Sequence, residues 1–385
     1  MILVVPNGGG LVQGRPNRDA PVVKAPVGTH DFPIMTRLDT ILEPLDAAAK
    51  PRDRHGRPLH DLRISVMDRC NFRCPYCMPE ATYGEHFNFL RNDERLSFDE
   101  IERLSRLAAQ LGVSKLRLTG GEPLLRPHLP ELVERLRRIP GIDDLAMTTN
   151  GVLLARHAQA LRAAGMDRVT ISLDTLDPAL FHRMSGGRGA LDDVLAGIDA
   201  AQAAGFPGGI KLNTVVQRGV NEQGVLDLIE RFRGTGIIPR LIEYMDVGNR
   251  NDWSREEVVP SSELVARIDA RWPLEAVPPQ YPGEVASRFR FRDGAGEVGV
   301  ISSISQPFCG ACSRARLSSE GTLYTCLFAT QGTDLRMPLR HGATDEQLLA
   351  RLREVWLRRA DRYSEERAQR RNGARHKIEM HYIGG

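Results

Sequence analysis

A chain of 385 residues, with 41% hydrophobic and 26% charged residues, can bury a core for one large α/β domain and a smaller appended one. Its formal net charge of +3 is too small for a whole-molecule field that attracts nucleic acid, and no apolar run approaches the roughly 20 residues that span a bilayer. Neither nucleic acid nor a membrane is therefore expected as a partner. The positive charge is nearly all arginine, which reads as compositional bias. Of the lysines Lys24, Lys50, Lys115, Lys211 and Lys377, only Lys115 and Lys211 fall in predicted strands, where a compact charge has a use.

The start, Met1 to Val5, is apolar but breaks at Pro6 into Gly8, Gly9 and Gly10, too short for a secretory signal. A cytoplasmic protein is expected. Residues 1–58 hold eight prolines and six glycines and read as an irregular extension. From Asp61 six runs rich in branched apolar residues predict strands: Leu62 to Val66, Lys115 to Thr119, Leu145 to Thr148, Arg168 to Leu173, Ile210 to Val216 and Ile238 to Tyr244. Helical periodicity lies between them. The clearest case starts at Ser97, with Glu100 completing a capping box, and stops at Gly112. Others cover about 128–139, 152–164, 190–204 and 221–233.

Strand and helix in alternation imply parallel pairing through right-handed crossovers. Six units are too few for an eight-stranded barrel, so a partial (β/α)6 TIM-type barrel and an open doubly wound sheet both fit. We take the partial barrel, with a C-terminal α+β extension, as the expected fold; either places ligands at the C-terminal ends of the strands. The expected organisation is an extension over 1–58, the barrel over 59–246, a cluster-binding region over 247–340, and a helix with a Gly-Gly tail over 341–385. The late helix is expected from Asp345 to Arg370.

Six cysteines fall into two triplets: Cys70, Cys74 and Cys77 after the first strand, then Cys309, Cys312 and Cys326. Without a secretion signal such groups read as metal ligands rather than disulfides. Zinc is the plainest alternative, but structural zinc takes four ligands, and neither triplet has a histidine at zinc-finger spacing. Three thiolates on a four-iron cluster leave one iron open for a small molecule. The first triplet reads C-x3-C-x2-C with Tyr76 before its last cysteine, and Gly120, Gly121, Glu122 and Pro123 end the second strand. These two marks, in this order, are those of the radical S-adenosylmethionine superfamily.

Within it, Asp61 to Gly385 resembles the molybdenum cofactor biosynthesis protein A family, the GTP 3′,8-cyclases. The resemblance is carried by DLRISVMDRCNFRCPYCM (61–78), LRLTGGEPLLR (116–126), TTNG (148–151), VTISLD (169–174), IEYMDVG (242–248), FCGACSRARL (308–317) and the terminal Gly384 and Gly385. It implies two 4Fe-4S clusters, the first held by Cys70, Cys74 and Cys77 and the second, on the C-terminal extension, by Cys309, Cys312 and Cys326. It also implies S-adenosylmethionine on the open iron of the first, touched by Tyr76, Gly121, Ser172 and Met245. Its 5′-deoxyadenosyl radical takes a hydrogen from carbon 3′ of GTP, and the ribosyl radical closes on carbon 8 of guanine, which meets the second cluster. The product is (8S)-3′,8-cyclo-7,8-dihydroguanosine 5′-triphosphate, the first step of molybdenum cofactor biosynthesis.

By the same resemblance Arg63, Arg117, Thr148, Lys211, Arg314 and Arg316 contact GTP. An Arg fork suits bidentate phosphate contact, and Lys115 is a plausible addition. Arg69, just before Cys70, and Arg73, between Cys70 and Cys74, have the lesser role of charge compensation. Arg314, Arg316, Gly384 and Gly385 are expected in the catalytic site, the glycines because a tail without side chains can thread a narrow pocket. The implied partners are GTP, a one-electron reductant, cyclic pyranopterin monophosphate synthase as the next enzyme, and a second copy in a homodimer. Two readings compete: a radical S-adenosylmethionine enzyme that modifies peptides with auxiliary clusters, and a zinc-stapled nucleic-acid-binding protein. The first needs more cysteines. The second needs a basic face that the near-neutral charge does not supply.

Overall fold

A computed structural model describes residues 50–367 and 377–384; the rest of the expected N-terminal extension and Gly385 lie outside these residues. Six strands stand where the branched runs predict them: β1 (Asp61–Ser65), β2 (Lys115–Thr119), β3 (Asp144–Thr149), β4 (Arg168–Ser172), β5 (Ile210–Val216) and β6 (Ile238–Glu243). They pair in that order, all parallel. The C-terminal part adds β7 (Leu274–Val277), β8 (Ser287–Phe291), β9 (Glu297–Ile301), β10 (Arg314–Leu317), β11 (Thr322–Tyr324) and β12 (Thr333–Asp334). β10 lies parallel beside β1 and β9 parallel beside β6, each leading an antiparallel group. Residues of all six first strands and of β10 line one cavity, so the sheet curls around it. This is the expected partial barrel with its α+β extension; strands of the extension cover both edges of the six.

The outer face of the barrel packs on helices. The helix Phe98–Gln110 carries the expected capping box, in which Glu100 N donates to Ser97 Oγ and Ser97 N to the Glu100 carboxylate. Its Leu104 and Leu107 join Ile64, Leu116, Leu118, Leu132, Leu161 and Ile198 in one continuous core. Each such side chain, fully buried, contributes about 1.5–3 kcal/mol. A second core, with Val216, Leu241, Ile268, Phe291 and Val300, joins β6 to the extension.

Three departures bear on the site. A helix over Pro178–Met184, capped by Asp177, stands in a segment with no predicted element. The helix expected to reach Arg370 ends at Arg358, because Arg359 turns to extended backbone and directs its side chain inward; a short helix Tyr363–Glu366 follows, and 368–376 lie outside the described residues. Residues 50–58 belong to the fold: Arg52 bridges to Pro58, and Asp53 and Arg57 are buried.

Candidate functional site

Strand parity builds the site. In β1 and β2, Leu62, Ile64, Leu116 and Leu118 face the helices, while Asp61, Arg63, Lys115 and Arg117 line the cavity. Arg168 and Ser172 continue this lining from β4, Lys211 and Asn213 from β5, Arg240 from β6, and Arg314 and Arg316 from β10. The space enclosed is about 340 Å³. Both cysteine triplets face it.

The loop after β1 carries Cys70, Cys74 and Cys77. Cys77 N and Met78 N both donate to Cys74 O, at 3.0 and 2.9 Å. Arg73 is buried under this loop and donates to the carbonyls of Cys70 and Phe72 at 2.7 and 2.8 Å, so it shapes the loop while its charge also favours the Cys70 thiolate. The Gly-Gly turn lies against the same loop. Gly121 N donates to Met67 O and Glu122 N to Arg69 O, and a Cβ at Gly121 would overlap the Arg69 carbonyl, which is why the turn requires glycine there. Glu122 accepts from Leu124 N, Thr149 Oγ1 and Asn150 N, while burial pushes its carboxyl up to about 7. Tyr76 donates its hydroxyl to Asp174 at 2.8 Å, and burial raises Asp174 to about 6. Tyr76, Gly121, Ser172 and Met245 all line the cavity.

Cys309 and Cys312 bracket a single helical turn before β10, and Cys326 follows β11. Burial alone would raise the Cys312 thiol. The Arg314 and Arg359 guanidiniums outweigh it and bring Cys312 down to about 6, with Nη2 atoms 3.2 and 3.1 Å from Sγ. At Cys70 and Cys326 burial wins, pushing them up to about 12 and about 11.

All six cysteines are free thiols in two groups on one cavity, a donor set suited to thiolate ligation. Among the described residues no three His, Cys, Asp or Glu side chains converge as ligands of a single metal ion do. A four-iron cluster is larger and spreads its thiolates over separate irons. The residues present fit such a group at each triplet.

Between the triplets runs a belt of cations. Burial, then Arg316, Arg117 and Arg314, hold Arg63 well below its ordinary value. Burial and Arg168 lower Arg117 to about 10, and burial and Arg117 lower Arg240 to about 9. Arginine stays charged at neutral pH, so these shifts reflect the cost of burial first and mutual repulsion second. Lys211 can yield: burial, then Arg240, Arg168 and Arg117, push it down to about 7. Arg117 donates to Thr148 and Thr170 at 3.1 Å. Three buried polar atoms, Arg168 Nε, Arg240 Nε and Asn213 Oδ1, find no hydrogen-bond partner among the described residues. Buried polar atoms are seldom left so, and a polar ligand would satisfy them.

The expected residues are not all equally available. The Lys115 ammonium lies 3.4 Å from Asp61 and 3.5 Å from Asp144 and donates to Tyr281 Oη at 2.9 Å. Gly384 lies against two residues of the cavity: Arg316 donates to Gly384 O, Ile383 is fully buried, and an added Cβ would collide with Thr119. Gly384 has a φ of 70°, a left-handed backbone that favours glycine. Motif matching passes over Arg168, Asn213, Arg240 and Arg359, and gives Asp174, the last residue of VTISLD, no role. The alternation in RVTIS, IKLNTVV and IPRLIE marks the first three, since a strand buried on both faces would run apolar throughout.

The chain matches the Radical SAM superfamily model over residues 64–232 and the Molybdenum Cofactor Synthesis C model over 237–365. It is 57% identical over 339 residues to a GTP 3′,8-cyclase of Xanthomonas campestris pv. campestris (strain B100), covering 88% of this chain and 98% of that one. The GTP 3′,8-cyclase of Acidothermus cellulolyticus is 53% identical over 359 residues, with 87% and 99% covered. That of Staphylococcus carnosus is 46% identical over 336 residues, with 86% and 98% covered. Among solved structures, Streptococcus suis SuiB superposes with a TM-score of 0.51 at 15% identity, covering 79% of this chain and 67% of that one. At that identity the likeness concerns the fold alone.

Proposed function

Because the chain belongs to the GTP 3′,8-cyclase family within the radical SAM superfamily, we propose that it converts GTP to 3′,8-cyclo-7,8-dihydroguanosine 5′-triphosphate at the start of molybdenum cofactor biosynthesis. The observation that carries this reading is one cavity with a cysteine triplet on two sides and a belt of buried cations between. A triphosphate bears about four negative charges, and Arg63, Arg117, Lys211, Arg314 and Arg316 bind it with forked and point charges as Thr148 orients a polar edge. Arg240 and Arg168 join them through their unpartnered nitrogens.

Membership of the superfamily brings S-adenosylmethionine and an iron-sulfur cluster, which when bound and reduced supply a carbon-centred radical. Cys70, Cys74 and Cys77 hold that cluster in this reading, with Tyr76, Gly121, Ser172 and Met245 against S-adenosylmethionine. Cys309, Cys312 and Cys326 hold a second one facing the guanine. Gly384, with Gly385 beyond it, closes the cavity beside Arg316 and keeps water from the reacting carbons. The working protein is a cytoplasmic homodimer supplied by a one-electron reductant, and cyclic pyranopterin monophosphate synthase consumes its product. No helix among the described residues is long and apolar enough to cross a membrane.

The test is anaerobic purification with iron and sulfide quantified, then incubation with GTP, S-adenosylmethionine and a reductant. The reading requires about eight irons per chain and reductant-dependent loss of GTP. Colourless protein that carries zinc, or GTP untouched by protein with both clusters, would overturn it.

A further inference from the structure

We infer that Asp53, Arg57 and Arg359 form a positioning group that holds the second cysteine triplet and stabilises negative charge at its Cys312 corner. The inference rests on the reading of Cys309, Cys312 and Cys326 as cluster ligands. It begins in a stretch that composition alone reads as irregular. Asp53 N donates to Arg57 O and Gly56 N to Asp53 O, a tight turn closed at Gly56 with a φ of 74°. The turn buries the Asp53 side chain completely. Its carboxylate accepts from His55 N and Arg57 N at 2.9 and 3.0 Å, from Arg57 Nε at 2.6 Å and from Arg359 Nη1 at 3.3 Å.

Both guanidiniums are 2% exposed, so a single buried carboxylate faces two buried cations. Asp361 is the next acid, 3.5 Å from Arg359 Nε and one-third exposed. A surplus of buried positive charge is costly unless an electron-rich group lies nearby. Other donors of both arginines reach the triplet, while Arg57 Nη2 and Arg359 Nε find no hydrogen-bond partner among the described residues. Arg57 Nη1 donates to Cys309 O at 2.6 Å and to Asp361 O at 2.9 Å. Arg359 Nη1 donates to Cys312 O at 2.6 Å while its Nη2 reaches Cys312 Sγ at 3.1 Å. Trp356, buried at the end of its helix, fixes the arrangement: its Nε1 donates to Arg57 O at 3.0 Å, and Arg359 lies 4.6 Å over its ring.

The first triplet is treated differently. Among the described residues its sulfurs accept hydrogen bonds only from amides, Phe72 N at 3.3 Å and Asn150 Nδ2 at 3.9 Å from Cys70 Sγ, while the Arg73 charge acts on Cys70 without a hydrogen bond. A donor or positive charge on a cluster thiolate favours the reduced, more negative form and raises the reduction potential. Arg314 also reaches Cys312 Sγ, and both arginines line the cavity, but of the two only Arg359 is bonded to Asp53. Arg359 is tied to Asp53 and serves the cluster in every state.

The experiment is an EPR-monitored potentiometric titration of the full-length, cluster-replete protein and its Arg359→Gln, Arg359→Lys and Asp53→Asn variants. The second cluster is identified as the one whose signal GTP alters. Arg359→Gln lowers the midpoint potential of that signal and leaves the other unchanged; Arg359→Lys lowers it less, and Asp53→Asn, which removes a buried negative charge and leaves both guanidiniums, raises it. Unchanged potentials in Arg359→Gln at full iron content overturn the inference. If that variant loses its second cluster, Arg359→Lys decides by the same criterion. Wild-type protein with iron for one cluster only would sink the two-cluster reading itself, a separate failure.

Discussion

Binding of GTP should draw a proton on to Lys211. Its ammonium is pushed down to about 7 by burial and then by Arg240, Arg168 and Arg117, whereas an unperturbed lysine titrates near 10.4. The lowered value means that the folded protein binds fewer protons here than the unfolded chain between about pH 7 and 10.5, so this group's share of stability rises with pH across that window. A polyanion beside Lys211 reverses the balance. If the bound state restores the lysine to about 9 or above, the protonated fraction at pH 8 goes from about 0.1 to about 0.9, an uptake of about 0.8 proton. At pH 6 the lysine is already about nine-tenths protonated and the uptake falls to about 0.1. Affinity should then fall about fivefold per pH unit between pH 7 and 9. Isothermal titration calorimetry in buffers of different ionisation enthalpy reads the proton count directly. The control is Lys211→Arg, which keeps the charge but has nothing to titrate, so its uptake at pH 8 should vanish while binding persists. Wild-type protein that takes up no proton at pH 8, or a Lys211→Arg variant that takes up the same amount, would refute the reasoning.

Cys74→Ala should abolish cleavage of S-adenosylmethionine, whereas Cys312→Ala should retain some uncoupled cleavage and lose cyclisation; chromatography of 5′-deoxyadenosine and of GTP separates the two. Arg314→Ala and Arg316→Ala should each cost about 1.5–3 kcal/mol in GTP turnover with iron content intact, since each removes a charge-assisted contact; unchanged steady-state kinetics would remove the pair from the site. Gly384→Val places a side chain against Thr119 where the backbone already has a φ of 70°. It should lower the single-turnover rate, read as product yield at a fixed early time, about 10²-fold, as deletion of the last two residues should, without changing thermal unfolding. Full yield from either would return the tail to a frayed end.

How far the sequence reaches can be judged at particular residues. The strands carrying Arg63, Arg117 and Lys211 are legible because period-two alternation and flanking helical patterns agree, and the cysteine motifs fix which strand ends matter. Arg240 and Asn213 lie in the same alternating pattern and are equally readable by parity, though not by motif. Lys115 shows the limit of reading charge alone: its ammonium is engaged by Asp61 and Asp144, one strand away on either side. The end of the last long helix depends on contacts no local pattern contains, since Arg359 leaves the helix to meet Asp53, which lies 306 residues earlier. The buried turn at Asp53 is hidden for the same reason. Its polar, Gly-containing sequence is that of a loop, and only the distant helix and the Cys309 turn bury it.

The account's central claim, that the cavity aims radical chemistry at the ribose of a nucleotide held by the cation belt, is tested most directly with GTP deuterated at carbon 3′. Single turnovers of cluster-replete protein with S-adenosylmethionine and a reductant should yield 5′-deoxyadenosine carrying one deuterium, in proportion to the GTP consumed. GTP deuterated only at other ribose carbons should yield none. Unlabelled 5′-deoxyadenosine from the 3′-deuterated substrate, formed while GTP is consumed, would contradict it.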